Sequence, residues 1–319
     1  MAGRGRCTVN TGLRGLIADY LAVRRALGYK LVDNERILAA FADYLDAAGA
    51  SAVTVEHALD FATSAGGSRR RQALRLSAVR CFARWAHPQD LSVQVPPGRL
   101  LPARPTRSAP YIYTRAEITA LLEAARALRP AMKAATMGAL IALMAATGIR
   151  TGEAIGLNLA DLDMQAGTLT VTGKYGKVRL LPLHPTVAAG LAGYLADRYR
   201  LLPASTCPAL LVSTSGRRLR AQVVHPMFRQ LAQAAGLHAT SSACRPRLFD
   251  LRHSYAVSVM LDTYRSGADP AAVLPVLATW MGHTDPRDTY WYLTGTAELL
   301  AAAAERIKAA GTRPEGRRP

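Results

Sequence analysis

The segment from Val95 to Pro110 constrains the fold of this 319-residue chain most, because five of its residues are proline. Proline fixes its own φ angle and has no backbone N–H donor, so this segment cannot continue a helix. Three arginines, Arg99, Arg104 and Arg107, lie among the prolines, and this composition favours an extended connector. The connector therefore marks a boundary between two parts of the chain.

Each part is long enough to form a domain with its own core. We predict an N-terminal domain over residues 1–95 and a linker over residues 96–110. A second domain over residues 111–310 and a polar tail over residues 311–319 complete the predicted organisation.

The chain carries a formal charge of +18 and has a pI near 10.4. A field of that sign concentrates polyanions and favours nucleic acid as the partner, with a merely solvated basic surface as the alternative. The four cysteines show no paired short spacing, so we expect neither a disulfide framework nor a zinc site, and a reducing, cytoplasmic environment. We expect no signal peptide and no membrane span, because the apolar stretch Ala134–Ile149 has the length of a buried core helix.

Apolar residues recur at helical spacing in the first domain and predict a helical bundle. Two stripes carry the pattern: Leu13, Leu16, Ile17, Tyr20 and Leu21, then Ile37, Leu38, Phe41 and Leu45.

A later helix opens with Arg69, Arg70 and Arg71, and it also carries Arg80 and Arg84. The apolar spacing predicts an inward face made of Leu74, Ala78, Cys81, Phe82 and Trp85. Because arginine neutralises phosphates, we predict that the five arginines bind DNA, the alternative being that they are solvated surface residues.

The second domain combines helices with a short hairpin. Thr114 and Glu117 have capping-box spacing and predict its first helix. The runs Thr168–Val171 and Val178–Pro182 flank a glycine turn and predict paired strands. Further helices are predicted at about residues 131–147, 185–198, 221–235, 250–263, 270–281 and 297–309. The predicted fold class is mainly α with a small β-sheet, formed by a helical N-terminal domain and an α+β second domain.

Lys174 lies in the turn of the predicted hairpin and is one of only five lysines among the 40 basic residues. Arginine cannot release a proton near neutral pH, whereas lysine can when its surroundings lower its pKa. Lys174 is therefore a candidate for proton transfer. Lys177 is the competing candidate, although Lys177 and Arg179 suit a strand that passes along DNA, and we assign Lys177 to DNA binding.

Three boxes and a tyrosine resemble the signature of the tyrosine recombinases, the phage integrase family. The boxes are Thr147–Leu157 (TGIRTGEAIGL), Asp250–Ala256 (DLRHSYA) and Met281–Thr284 (MGHT), and the tyrosine is Tyr292. Their order and spacing both match, and the resemblance covers roughly residues 112–300. It implies a helical core-binding domain and a mostly helical catalytic domain that clamp double-stranded DNA between them.

The resemblance also implies a reaction. A tyrosine hydroxyl cleaves one DNA strand, leaving a 3′-phosphotyrosine and a free 5′-hydroxyl, and a 5′-hydroxyl from a partner strand then attacks. Because the bond energy is kept, we expect no cofactor, neither ATP nor metal.

Arg150 and Arg252 are the candidates for holding the scissile phosphate, because a guanidinium donates two parallel hydrogen bonds and stays charged. Each lies at a predicted helix start, where anions bind readily. The alternative for either is a surface salt bridge, for instance between Arg150 and Glu153.

The remaining roles follow from chemistry and from the match to the family. We expect Lys174 to be the general acid that protonates the departing 5′-oxygen. We expect His283 to donate a hydrogen bond to the phosphate or the nucleophile, and His253 to be a structural residue. Spacing selects Tyr292 rather than Tyr290 as the nucleophile. No second histidine or carboxylate lies at ligand spacing, so we predict no metal site.

The chain departs from the family pattern at Phe249, three residues before Arg252, where members usually carry histidine or lysine. Phenylalanine accepts no proton. Either water or a phosphate oxygen takes the proton of the tyrosine and the enzyme is slower, which we favour, or the chain only binds DNA.

The predicted function is site-specific DNA recombination for a mobile element or phage, by a protein that is a monomer or dimer off DNA and a tetramer on two synapsed sites. A type IB topoisomerase and a non-catalytic DNA-binding regulator are the alternatives. The resemblance alone implies the tetramer. The last helix docks either on a neighbouring subunit or on its own domain.

Overall fold

The computed structural model divides the chain into two units, residues 1–107 and 108–319, and the division falls within the proline-rich segment. The structure describes residues 8–50, 52–101, 109–173, 176–241, 243–283, 289 and 297–311. Both units are largely helical, and one small sheet lies in the second unit, as the sequence predicts. No helix in the described ranges is both long and apolar enough to cross a membrane.

The first unit is a bundle of helices around an aromatic and aliphatic core. Thr54 and Ser68 cap two of the helices, because their side-chain oxygens accept hydrogen bonds from the backbone N–H groups of His57 and Arg71. Phe41 and Phe82 are fully buried in the core. The helices are α1 (Thr8–Ala26), α2 (Val32–Ala47), α3 (Val55–Ser64) and α4 (Arg69–Ala86).

The predicted inward face of α4 is wrong at two positions. Leu74 is 56% exposed and Cys81 is exposed. The buried face is centred on Val79, and at 100° per residue Leu74 and Cys81 lie about 140° and about 160° away from it around the helix. Ala78 and Phe82 are buried, as predicted.

The second unit begins its helices at the predicted capping box. The Thr114 side chain accepts from the backbone of Glu117, and the Glu117 carboxylate accepts from the backbone of Thr114. Further helices follow, most of them long and apolar, and they confirm the predicted order. They are α5 (Arg115–Arg126), α6 (Ala131–Thr147), α7 (Thr151–Gly156), α8 (Pro185–Leu201), α9 (Ala221–Ala234), α10 (Asp250–Arg265), α11 (Pro270–Met281) and α12 (Ala297–Gly311).

The predicted hairpin is present as β2 (Thr168–Thr172) and β3 (Val178–Pro182), which pair antiparallel. A two-residue strand, β1 (Leu162–Asp163), extends the sheet beside β2 and was not predicted. Alternation along β3 turns Arg179 and Leu181 inward, while Val178 and Leu180 remain exposed. The hairpin therefore presents Arg179 to the body of its unit.

The last helix, α12, docks on its own unit. Leu299 is buried among apolar residues of α10 and α11, including Val257, Met260 and Leu277. Of the two predicted positions of this helix, the described residues show the one on its own domain.

Candidate active site

The first box turns sharply between α6 and α7. Gly148 ends α6 in the left-handed region, at φ 63°, where glycine is favoured over other residues. A Cβ atom at Gly148 would lie 2.5 Å from Cδ1 of Tyr255, so the turn also needs the absence of a side chain. Arg150 follows as the N-cap residue of α7.

Arg150 is held by Glu153, one turn further along. The backbone N–H of Arg150 donates to Oε2 of Glu153 and its Nη1 donates to Oε1, each across 2.8 Å. Nη2 of Arg150 also lies 3.3 Å from the carbonyl oxygen of Gly282. The suggested ion pair with Glu153 therefore exists, but it is not a surface pair, since the Glu153 side chain is only 7% exposed.

The Glu153 carboxylate binds a second arginine. Arg179 donates from Nη2 to Oε2 across 2.8 Å and from Nη1 to Oε1 across 3.2 Å. Burial alone would raise the pKa of Glu153, but the hydrogen bonds from Arg179 and from the Arg150 backbone outweigh burial and lower it. Glu153 is thus a carboxylate that two arginines share.

Arg252 lies in the first turn of α10, as predicted, and is completely buried. Nη1 donates to the Gly148 carbonyl and Nη2 donates to the Met281 carbonyl, each across 2.7 Å. Nη2 also lies 2.8 Å from Nε2 of His283. The guanidinium therefore connects the first box to the third.

The contact between Arg252 and His283 defines the histidine tautomer. A guanidinium only donates hydrogen bonds, so Nε2 of His283 is the acceptor. The proton of a neutral ring then resides on Nδ1, which lies 2.7 Å from Oγ1 of the buried Thr289. In this state Nε2 does not donate, and donation to a phosphate requires the Arg252 contact to change.

The structure thus gathers three of the predicted catalytic residues, Arg150, Arg252 and His283, around the end of α11. Lys174 and Tyr292 lie outside the described residues. On the hairpin, the Gly173 N–H donates to the Lys177 carbonyl across 2.7 Å, and Lys177 is exposed. Lys177 thus lies on the solvent side of the hairpin.

Tyr255 packs beside this cluster and stacks on Trp280 with ring centroids 6.4 Å apart. Burial raises the pKa of Tyr255 to about 12. A phenol of that pKa is a poor nucleophile, so Tyr255 acts as a packing residue.

Phe249 forms the N-cap of α10 and is 40% exposed. Its ring lies edge-on to the ring of His253, with centroids 5.1 Å apart. His253 is buried, and burial together with the charges of Arg247 and Arg252 lowers its pKa to about 4. The histidine beside Arg252 is therefore neutral at physiological pH.

The arginines predicted to bind DNA lie on α4 of the first unit. Arg69, Arg70, Arg71 and Arg84 are exposed. Arg80 is partly buried, and its Nε donates to the Pro96 carbonyl across 2.9 Å. Arg80 therefore uses one donor inside its own unit.

Two contributors to the site were not identified from the sequence as parts of it. One is Glu153, for which the sequence offers only the spacing of three from Arg150 and predicts no role beyond an alternative salt bridge. The other is Arg179, for which the sequence suggests a strand that passes along DNA; the side chain instead points inward and is 12% exposed. Strand alternation places Arg179 on the same face as the buried Leu181, and this alternation is the sequence signal for its inward position.

Within the described ranges, no three His, Cys, Asp or Glu side chains gather as a metal site would require.

Proteins of known family resemble this chain over most of its length. The family model described as the phage integrase family matches residues 112–298. The integrase/recombinase candidate y4rB of Sinorhizobium fredii is 38% identical over 303 residues, which cover 92% of this chain and 96% of y4rB. Tyrosine recombinase XerD of Neisseria meningitidis serogroup B is 30% identical over 228 residues, which cover 71% of this chain and 73% of XerD. The fold is similar to that of a lambda integrase tetramer bound to a Holliday junction, with a TM-score of 0.61 at 17% identity over 88% of this chain and 76% of that one.

Proposed function

Because the chain belongs to the phage integrase family and is a tyrosine-type site-specific recombinase, we propose that it cuts and rejoins DNA through a covalent bond to Tyr292. The observation that carries this proposal is the contact network of Arg150, Arg252 and His283. Arg150 and His283 are more than a hundred positions apart in sequence. The two residues before His283 nevertheless bind one arginine each, since the Gly282 carbonyl binds Arg150 and the Met281 carbonyl binds Arg252.

In the proposed step the Tyr292 oxygen attacks the scissile phosphorus and the bond from phosphorus to the 5′-oxygen breaks. A 3′-phosphotyrosine forms, and Lys174 gives a proton to the 5′-oxygen as it leaves. Arg150 and Arg252 stabilise the negative charge that grows on the non-bridging oxygens. The reverse reaction, with the 5′-hydroxyl of another strand, rejoins the DNA and regenerates the phenol.

The site must rearrange before it binds a phosphate, because Arg252 is fully buried. His283 is the neighbour best placed to move, since its Nε2 accepts a hydrogen bond from Arg252. When the phosphate replaces this contact, a proton on Nε2 lets the imidazole donate to a phosphate oxygen. The same change would let both Arg252 and His283 contact the phosphate.

Phe249 leaves the proton of Tyr292 without the usual acceptor. We propose that water or a phosphate oxygen takes this proton. The positive charges of Arg150 and Arg252 lower the cost of forming the phenolate, which makes a strong base less necessary.

The proposed partner is double-stranded DNA of a mobile element or phage, bound by a tetramer that holds two sites in synapsis, while the protein off DNA is a monomer or dimer. The net charge of +18 supports the DNA partner, and the fold shared with the lambda integrase tetramer supports the assembly. An enzyme with this substrate would act in the cytoplasm, where the DNA lies.

A nicked suicide substrate tests the proposal, because loss of a short 5′ fragment traps the covalent intermediate. The wild-type protein is expected to give an adduct that survives denaturation, and Tyr292→Phe is expected to give none. Phe249→His is expected to form the adduct faster than wild type. Absence of any wild-type adduct would eliminate the catalytic assignment.

A second candidate, a DNA-binding regulator without catalysis, is favoured by Phe249 alone. Such a protein would shift the same DNA in a salt-sensitive manner and form no adduct. Recombination of a two-site plasmid, as opposed to relaxation of supercoils, separates the recombinase from a topoisomerase.

A further inference from the structure

Arg179 occupies a position that joins the separate parts of the site. It lies on β3 opposite Val171 of β2, and its side chain is 12% exposed. Nε donates to the Trp280 carbonyl across 2.8 Å, while Nη1 and Nη2 reach the two oxygens of Glu153. One guanidinium thus ties the hairpin to both α7 and the end of α11.

Two glycines surround this guanidinium. Gly282 adopts φ 68°, and a Cβ atom there would lie 2.8 Å from Nη1 of Arg179. A Cβ atom at Gly173 would lie 3.5 Å from the same Nη1. Gly173 precedes Lys174, and Gly282 precedes His283, so the residues next to two predicted catalytic groups leave room for Arg179.

The contact with Glu153 extends the influence of Arg179 to the substrate-binding arginine. The same Glu153 carboxylate accepts from the backbone N–H and from Nη1 of Arg150. Removing Arg179 would leave a 7% exposed carboxylate with only the Arg150 hydrogen bonds, and a buried carboxylate that loses a charged partner is costly. The carboxylate would then rotate or draw in water, and the guanidinium of Arg150 would follow it.

We propose that Arg179 is a positioning residue, which fixes Glu153 and thereby holds the Arg150 guanidinium where it neutralises the scissile phosphate. This inference rests on the proposed function. A residue in this role acts through Glu153 and Arg150 and needs no contact with the DNA backbone or with the leaving group. Its loss therefore slows the cleavage step and leaves DNA affinity unchanged.

The experiment compares the full-length wild type with Arg179→Met and Arg179→Lys on three suicide substrates. One has the ordinary phosphodiester. The second has a scissile methylphosphonate, in which a neutral methyl group replaces one charged oxygen. The third has a 5′-bridging sulfur, which departs without needing a proton.

On the ordinary substrate, Arg179→Met is expected to cleave about 10²-fold more slowly at saturating DNA, with a Kd within about twofold of wild type. On the methylphosphonate the difference from wild type is expected to fall below about tenfold, because less charge needs neutralising. On the sulfur substrate the difference is expected to remain. Arg179→Lys keeps a positive charge but not the forked guanidinium, and its rate is expected to lie between those of the wild type and Arg179→Met.

The dependence on substrate compares rates of one protein preparation across the three substrates, so a partly folded fraction, which lowers all three rates equally, does not imitate it. Arg200→Met is the matched control, because Arg200 forms an exposed pair with Asp197 on α8 and should change no rate. Lys177→Met is expected to weaken DNA binding without this substrate dependence.

Rescue by the sulfur substrate would overturn the inference, because it would place Arg179 at the leaving-group end. Equal defects on all three substrates, or weaker binding with an unchanged rate, would overturn it as well. If Arg179→Met cleaves as fast as wild type, the inference fails while the proposed function stands. If the wild type forms no adduct, the proposed function itself fails.

Discussion

Arg252 donates a hydrogen bond from Nη1 to the carbonyl oxygen of Gly148 across 2.7 Å, although 104 positions separate the two residues in sequence. The bond is buried, and a buried carbonyl or guanidinium that loses its partner is costly. It connects the turn that presents Arg150 to the helix that presents Arg252. Both ends of this bond can be tested by substitution.

Replacing Gly148 by alanine should destabilise the second unit and slow cleavage together. The new Cβ would lie 2.5 Å from the Tyr255 ring, and φ would remain at 63°. Left-handed strain of about 1 kcal/mol and overpacking of about 1–3 kcal/mol should add. Urea unfolding measures the sum. Gly236→Ala, at φ 71° with no atom within 4 Å, is the control and should be destabilised only by the left-handed strain.

Replacing Arg252 by lysine should abolish most activity even though the charge is kept. An ammonium group cannot bond to both the Gly148 and Met281 carbonyls while it also reaches a phosphate. Cleavage of the suicide substrate should fall about 10²–10³-fold. Arg265→Lys on the same helix, where the side chain is 68% exposed, should cleave at the wild-type rate, and equal effects at the two positions would contradict the assignment.

His253 should make the protein less stable in mild acid. Its folded pKa is lowered to about 4, chiefly by burial, so the unfolded chain binds the extra proton between pH 6.5 and pH 4. The stability that neutral, buried His253 contributes is therefore fully present above pH 6.5 and is lost as the pH falls toward 4. Between pH 7.5 and pH 5 the loss should be about 2 kcal/mol.

Urea unfolding of His253→Gln checks this expectation, because the variant should lack that part of the pH dependence. His184→Gln, at an exposed histidine, should retain it. A wild-type curve and a His253→Gln curve of the same pH dependence would refute the role of burial at His253.

The start of α4 should contribute to DNA affinity through phosphate contacts. If Arg69, Arg70 and Arg71 each neutralise one phosphate, their combined replacement by alanine should reduce the slope of log K against log salt by about 2 to 3. Binding titrations at several salt concentrations measure the slope. Arg14→Ala should leave it unchanged, because Arg14 is paired with Asp43 and Asp46. An unchanged slope in the triple variant would show that these arginines serve only as surface residues.

The sequence reveals features that depend on local rules. The capping box at Thr114, the hairpin around Gly173 and the position of Arg252 in the first turn of α10 all follow from spacing and turn chemistry. Patterns of this kind are set by residues a few positions apart. These elements were therefore predicted correctly.

Contacts that form only through tertiary packing cannot be predicted from local sequence patterns. The pair of Glu153 and Arg179 spans 26 positions and forms only when α7 packs against the sheet. On α4 the apolar residues fit two overlapping stripes, and the predicted stripe shares Ala78 and Phe82 with the buried face but also includes the exposed Leu74 and Cys81. The two-residue strand β1 is too short for an alternating pattern to appear.

The central requirement of the proposed reaction is that Tyr292 is the residue that becomes joined to DNA. The measurement is mass spectrometry of the trapped adduct after digestion with nuclease and trypsin. Fragment ions of the peptide Asp288–Arg306 should carry the nucleotide on Tyr292, through a 3′-phosphate. A nucleotide on Tyr290, on another residue, or joined through a 5′-phosphate would contradict the account.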